Sequence, residues 1–319
     1  MKLPESAREW FAQLETRLQR LAHRPRIVFP EGEDSRVQKA AERLARDGLI
    51  EPILITAESA CRSEHGRFLF ERRKHKGITE GEADQLANHP LYTAALMVAI
   101  GDADGLVGGA VNTTADTVRA ALHCIGAAAG MHTISSCFVV AGQDRSFGHD
   151  GMLVFADCAV VIDPSARELA DIALASAGTT RRLLNTEPLV ALLSFSTRGS
   201  GKHVCIDKIA EALKLLRQRN PGLQVDGELQ VDAALVPSAG QFKAPGSAVA
   251  GHANTLIFPD ITSGNIGVKL VERLAGALTL GPFLQGLAKP ANDLSRGCSA
   301  DDIYASAVIT ALQSYDAAI

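Results

Sequence analysis

The sequence predicts an α/β protein built mainly on parallel sheet. Short apolar, β-branched runs recur along the chain, and helical stretches lie between most of them. The first of these runs make a strand–helix–strand unit, the connection that parallel pairing requires. At 319 residues the chain is long for a single hydrophobic core, so two domains are expected.

Taken in order, residues 6–22 set Trp10, Phe11, Leu14, Leu18 and Leu21 at helical spacing, with Ser6 and Glu9 in a capping-box pattern. RIVFP (26–30) reads as a buried strand, SRVQKAAERLARDGL (35–49) as a helix ending at Gly48, and EPILIT (51–56) as the next strand. Residues 57–90 are polar and basic and read as an excursion from the first domain. Further strands are expected at 103–109, 133–141, 158–164, 189–196, 223–227 and 254–260. Ser165 with Glu168 caps the helix ARELADIALASA, and Ser299 with Asp302 fits a capping box opening the last helix.

Composition narrows the function. With 46% apolar and 21% charged residues the chain is globular. A net charge of −4 and 5% aromatics exclude a nucleic-acid partner held by counterion release or base stacking. No apolar run reaches membrane length, and the N-terminus does not read as a signal peptide, so no membrane association is expected. The cysteines at 61, 124, 137, 158, 205 and 298 form no CxxC pair, which fits free thiols in a reducing cytoplasm. No metal-ligand spacing occurs among the histidines and carboxylates, and no catalytic metal is expected.

Three strand-to-helix loops stand out: GGAVNTTADTVRAAL (108–122), SFSTRGSGKH (194–203) and FPDITSGNIGVKL (258–270). Ligands of open α/β sheets bind at that edge, and helix N-termini favour anions, so the three together point to a phosphate-bearing ligand. TRGSGKH is not a P-loop, because Ser196 replaces the first glycine and His203 the magnesium-binding hydroxyl. No strand is followed by GxGxxG, and neither GxSxG nor HExxH occurs.

The stretch PANDLSRGCSADDI (290–303) gathers Ser295, Arg296, Cys298, Asp301 and Asp302. A thiol near an arginine and a helix start is a nucleophile candidate, but no histidine lies nearby in sequence to serve as base, and Cys298 reads as structural. Arg119 falls one turn into the helix after the Thr113–Thr114 pair, where a guanidinium meets an anion bound at the helix start. Arg73 lies in RRKHKG.

These stretches carry a resemblance. FPEGEDSRVQKAA (29–41), RKHKG (73–77), DADGLVGGAVNTTADTVR (102–119), FADCAVV (155–161), VDGELQVDAA (225–234), KAPGS (243–247), FPDITSGNIGVKL (258–270) and PANDLSRGCSADD (290–302) together resemble the phosphate acetyl/butyryltransferase family over nearly the whole chain. The resemblance implies two α/β/α domains of the isocitrate/isopropylmalate dehydrogenase type, with mainly parallel sheets and an interdomain cleft. Residues 1–128 plus 284–319 would form the first domain, and 129–283 the second. It implies the reaction acetyl phosphate + CoA ⇌ acetyl-CoA + phosphate, with CoA as a substrate, no permanently bound cofactor, no metal, and a cytoplasmic homodimer. By the same resemblance Asp302 is the base, Arg296 and Ser295 are the stabilisers, and Arg73 and Arg119 bind anion. Thr114 would meet the acyl phosphate or CoA, and Lys243 and Lys269 the CoA phosphates. The rival readings are a longer acyl chain such as butyryl, a dehydrogenase on the same fold, and a CoA-sensing module without turnover. A dehydrogenase would need a metal-binding aspartate set and a nicotinamide site, and neither signature is present.

Overall fold

A computed structural model describes residues 4–56 and 63–315. In chain order the elements are α1 (Glu5–Gln19), β1 (Arg26–Phe29), α2 (Ser35–Arg46), β2 (Glu51–Leu54), α3 (Ser63–Arg73), α4 (Glu80–Ala87), α5 (Pro90–Ile100), β3 (Gly105–Gly108) and α6 (Thr114–Cys124). Then follow β4 (Ser135–Ala141), β5 (Met152–Ala156), α7 (Ala166–Thr179), β6 (Leu189–Leu193), α8 (Val204–Arg219), β7 (Gln224–Leu229), α9 (Val231–Leu235) and α10 (Pro237–Lys243). The chain closes with β8 (Thr255–Ile257), α11 (Ile261–Leu274), β9 (Leu278–Gln285), β10 (Ala291–Asp293) and α12 (Ala300–Tyr315). It divides into two compact units, Gln13–Gly130 with Leu287–Ile319, and Met1–Ala12 with Met131–Gly286.

The unit of 13–130 and 287–319 is built on a parallel sheet of order β10-β3-β1-β2. Its central strands are apolar and buried over Ile27–Phe29 of β1 and all of β3, as expected where both faces are covered. Two glycines of β3 show that covering. A Cβ on Gly105 would meet Thr310 of α12, and one on Gly108 would meet Leu91 of α5. Residues three apart on a strand face opposite ways, so α12 and α5 lie on opposite faces. β10 is the edge that brings the C-terminal segment onto this sheet, with Asn292 opposite Val107 and Asp293 opposite Gly108.

The unit of 131–286 holds a sheet of order β7-β6-β8-β5-β4-β9. The pairs from β7 to β5 are parallel, while β4 pairs antiparallel with both β5 and β9. Both units are therefore α/β, with mainly parallel sheet. α7 starts with a full capping box from Ser165 and Glu168. Trp10 is buried in this unit and donates from Nε1 to the Leu183 carbonyl at 2.8 Å.

Several local expectations are corrected. Residues 158–164 form no strand; the strand is β5, just before them. Asp157 ends it by accepting from the backbone N–H groups of Ala159, Val160 and Val161, which turns the apolar run CAVVI into a loop. Ser6 is not a cap, because α1 begins at Glu5, and the Glu9 carboxylate pairs with Arg145 at 2.7 Å. β9 and β10 were not anticipated. Of the 57–90 excursion, the described part is the helices α3 and α4 with a 3-10 turn between them. Cys61 lies outside the described residues; Cys124, Cys137, Cys158, Cys205 and Cys298 are unpaired thiols.

Candidate active site

The strand Ala291-Asn292-Asp293 is fully buried although two of its three residues are polar. Tertiary partners make that possible. Asn292 Nδ2 donates to Thr310 Oγ1 and Gln313 Oε1 of α12, both at 2.7 Å. Leu294 N donates to the Gly108 carbonyl at 2.7 Å and carries the pairing one residue further. The segment that follows is thereby fixed at the carboxyl end of β3, the edge where α/β proteins place ligands.

The loop from β3 to α6 is shaped by Glu31. Its carboxylate accepts from the backbone N–H groups of Gly109, Ala110, Val111 and Asn112 at 2.9–3.1 Å, and from Asn112 Nδ2 at 2.8 Å. Successive N–H groups turned toward one anion make a nest, here occupied by the protein's own carboxylate. Thr113 then caps α6 by accepting from Asp116 N. Thr114, exposed at the first helical position, donates from Oγ1 to Asp293 Oδ2 at 2.6 Å. Asp293 is only 3% exposed, and its Oδ1 has no hydrogen-bond partner among the described residues. Burial pushes its carboxyl up to about 6; the Thr114 and Thr117 hydroxyls oppose the rise and the Glu31 carboxylate adds to it.

Arg36, in the first turn of α2, joins the two segments. Asp34 orients its guanidinium through Oδ1 to Nε at 3.0 Å and Oδ2 to Nη2 at 2.8 Å. The remaining N–H groups reach the carbonyls of Arg296 (2.9 Å), Cys298 (3.0 Å) and Ala110 (2.9 Å). A single rigid fork therefore holds both the β3–α6 loop and the turn between β10 and α12.

In that turn and the first turn of α12 the three residues assigned to catalysis are exposed and partly uncommitted. Ser295 Oγ accepts from Gly297 N at 3.3 Å, which uses a lone pair and leaves its proton to donate. The Arg296 guanidinium forms no ion pair among the described residues, although its carbonyl is held by Arg36. Asp302 completes a capping box with Ser299: Oδ2 accepts from Ser299 N and Oγ, both at 2.8 Å. Its Oδ1 takes no hydrogen bond among the described residues. Cys298 is buried beneath them, and burial raises its thiol above the usual range against the pull of Arg36. Asp301 pairs with Arg43 at 2.8 Å and faces away from this role.

Arg73 reaches His123, and Arg119 acts on the same histidine through its charge. Arg73 Nη2 lies 3.0 Å from His123 Nε2, and Tyr92 Oη lies 3.0 Å from His123 Nδ1. A guanidinium can only donate, so Nε2 carries the lone pair and Nδ1–H faces the tyrosine. Burial, then Arg73, then Arg119 push the His123 pKa down, which keeps the imidazole neutral and available as the acceptor for Arg73. Arg119 also pairs with Asp116 at 2.7 Å, one helical turn away on an exposed face. Arg73 and His123 line a cavity of about 580 Å³ with Lys76 and His89.

Lys243 and Lys269 belong to the unit of 131–286. Lys243 donates to Asp232 Oδ2 at 2.6 Å and Gln230 Oε1 at 3.0 Å. Lys269 is exposed on α11. The donor atoms of Glu64, His65 and Asp102 lie within 4.8 Å of one another, and none of them is a residue assigned above. No helix among the described residues is long and apolar enough to cross a membrane.

Sequence reasoning did not single out Glu31, Arg36, Asp293 or His123. Three of them stood inside the motifs quoted above, FPEGEDSR and PANDLSRG. Their roles depend on partners tens to hundreds of residues away, such as Arg36 with Cys298, 262 positions apart.

With this geometry in hand, the relatives can be placed. Residues 11–67 and 60–311 match the family described as Phosphate acetyl/butaryl transferase. A phosphate acetyltransferase of Paracoccus denitrificans is 49% identical over 300 residues, covering 90% of this chain and 94% of that protein. A phosphate acetyltransferase of Clostridium acetobutylicum is 42% identical over 313 residues, covering 91% and 94%. The crystal structure of a phosphotransacetylase from Streptococcus pyogenes superposes with a TM-score of 0.91 at 43% identity, covering 97% of this chain and 99% of that one. The chain belongs to the phosphate acetyl/butyryl transferase family.

Proposed function

We propose that the chain carries out the reaction its relatives are named for, acetyl phosphate + CoA ⇌ acetyl-CoA + phosphate. The observation that supports this most directly lies in the turn between β10 and α12. There Ser295 offers an O–H donor and Arg296 a guanidinium without an ion pair among the described residues, on a backbone fixed by Arg36, and Asp302 adds an open carboxylate oxygen from the first turn of α12.

In this reading Asp302 takes the proton of the CoA thiol. The sulfur then attacks the acetyl carbonyl, and the bond from that carbon to the phosphate oxygen breaks. A free thiol has a pKa of about 8.5 and a free aspartate about 3.9, so the carboxylate alone is a weak base for the step. Arg296 eases it by stabilising the thiolate, and the Ser295 proton is given to the developing oxyanion. Phosphate is a good leaving group, so a covalent enzyme intermediate is not needed, and transfer is direct in a ternary complex. Arg73, held at neutral His123, and Arg119, held at Asp116, bind the anionic group, and Thr114 contacts the acyl phosphate. CoA is a substrate rather than a resident cofactor, and no metal takes part. Lys269 meets a CoA phosphate, as does the one Lys243 proton not already given to Asp232 and Gln230.

We place the enzyme in the cytoplasm as a homodimer. Ile266, Leu270 and Leu274 recur every fourth residue on α11 and are 53%, 51% and 81% exposed, an apolar stripe suited to a second copy.

The test is acetyl-CoA formation from acetyl phosphate and CoA with chelator present. Turnover supports the reading and removes the metal-dependent rival. CoA binding without turnover on acetyl, propionyl or butyryl phosphate overturns it in favour of a sensing module. Faster turnover on butyryl phosphate moves the assignment to the longer chain.

A further inference from the structure

The hydroxyl of Thr114 has one proton, and the structure commits it inward. Oγ1 lies 2.6 Å from Asp293 Oδ2, so beside an ionised carboxylate Thr114 must donate to it. Only lone pairs then remain on the outward side of Oγ1, and these repel phosphate oxygens. We propose that Asp293 and Thr114 form a donor-reversing pair: a protonated Asp293 donates to Thr114 Oγ1, and the Thr114 proton turns outward to the phosphate group of the substrate. This rests on the reading that the acyl phosphate sits at the loop from β3 to α6.

The surroundings of Asp293 favour the protonated form. Its Oδ1 is buried without a hydrogen-bond partner among the described residues, so the ionised carboxylate is left partly unsolvated. Gly109 seals that side: a Cβ there would lie 2.3 Å from Oδ1 and 2.7 Å from Leu294 N. The charged group facing Asp293 is Glu31, an anion that adds repulsion. From α6 it meets only the hydroxyls of Thr114 and Thr117, and the Thr117 proton goes to the Thr113 carbonyl. α12 lies on the opposite face of β10, where Thr310 and Gln313 bond the preceding residue, Asn292. A carboxyl held at about 6 changes state near neutrality, so a small bias from a bound anion decides it. Binding of the phosphate group then takes up a proton from solvent, and its departure returns that proton.

The experiment is kcat/KM for inorganic phosphate, with acetyl-CoA as co-substrate, from pH 5.5 to 8.5. It compares the unsubstituted enzyme with Asp293→Asn, Thr114→Val and Thr114→Ser. Taking ratios at each pH cancels the titration of phosphate itself. The amide of Asp293→Asn presents a permanent N–H to Thr114, so the ratio of unsubstituted enzyme to this variant is expected to fall as pH rises above about 6. The slope approaches tenfold per pH unit and levels off after a loss of roughly ten- to hundredfold, the worth of one hydrogen bond to a charged acceptor. The ratio to Thr114→Val falls in the same way, which keeps the test open if Asp293→Asn does not fold, and Thr114→Ser retains the limb. Flat ratios in an active enzyme overturn the pair while leaving the function intact. Absence of turnover in the unsubstituted protein overturns the function, and the pair with it.

Discussion

Asp293 and Cys298 show burial in one chain segment raising the pKa of two different groups. Asp293 has a folded pKa raised to about 6, against about 3.9 for an unfolded aspartate. Its contribution to stability is therefore present below about pH 4 and lost as pH rises through about 6, a change of up to about 3 kcal/mol. Asp293→Asn is expected to be more stable than the unsubstituted protein at pH 8 by up to that amount, with the gap closing as pH falls from 6 to 4. Urea unfolding at several pH values reads this directly, and a pH-independent difference contradicts it. Cys298 sits in the same segment with a thiol that burial holds protonated. Cys298→Ala is expected to keep most of its activity; a loss close to that of Asp302→Asn points instead to an acyl-enzyme. Cys298 already read as structural in the sequence, but the value of Asp293 was not legible there. PANDLSRG names Asp293, but burial, a missing partner for Oδ1 and a hydroxyl from α6 are all tertiary facts.

At the scale of elements, the turn between β10 and α12 and the loop from β3 to α6 are organised by a short segment that runs from the end of β1 into the first turn of α2. Glu31 gathers the N–H groups of the loop, and Arg36 gathers carbonyls from both. Arg36→Lys keeps the charge but not the fork, so the carbonyls of Ala110, Arg296 and Cys298 cannot all be held. We expect kcat to fall by about ten- to hundredfold, with KM for CoA changing much less, because a displaced catalytic turn costs orientation more than binding. Equal losses in kcat and thermal stability, with partial recovery on cooling, would mean that Arg36 only supports the fold. Gly109 has a φ of +104° and no room for a Cβ. Gly109→Ala is expected to cost about 2–4 kcal/mol in an unfolding titration. The sequence shows most of these elements well. Apolar runs located β1, β2, β3, β4, β6, β7 and β8, and the Ser165–Glu168 and Ser299–Asp302 caps are both formed. It failed where tertiary context overrides pattern. β10 is a strand although two of its three residues are polar, because α12 satisfies Asn292 and α6 reaches Asp293. CAVVI is not a strand although it is apolar, because Asp157 bonds three of the N–H groups that follow it.

For the whole molecule, fold class and family were legible from collinear motifs, since alternating strands and helices fix an α/β architecture before any side chain is placed. The assembly is a separate matter of surface. If α11 carries the interface of a homodimer, Leu270→Asp is expected to yield monomers in sedimentation equilibrium at micromolar protein, while Leu122→Asp, at an exposed position on α6, leaves the dimer intact. The claim on which the account turns is that Asp302 acts in the transition state and not merely as the cap of α12. Steady-state acetyl-CoA formation by the unsubstituted protein and Asp302→Asn tests it most directly. Asparagine keeps a side-chain oxygen for the Ser299 cap but cannot accept the thiol proton. If Asp302 is the base, kcat falls roughly a hundredfold or more in Asp302→Asn, with KM for CoA within a few-fold. An unchanged kcat with a raised KM would make Asp302 a binding or capping residue and contradict the mechanism.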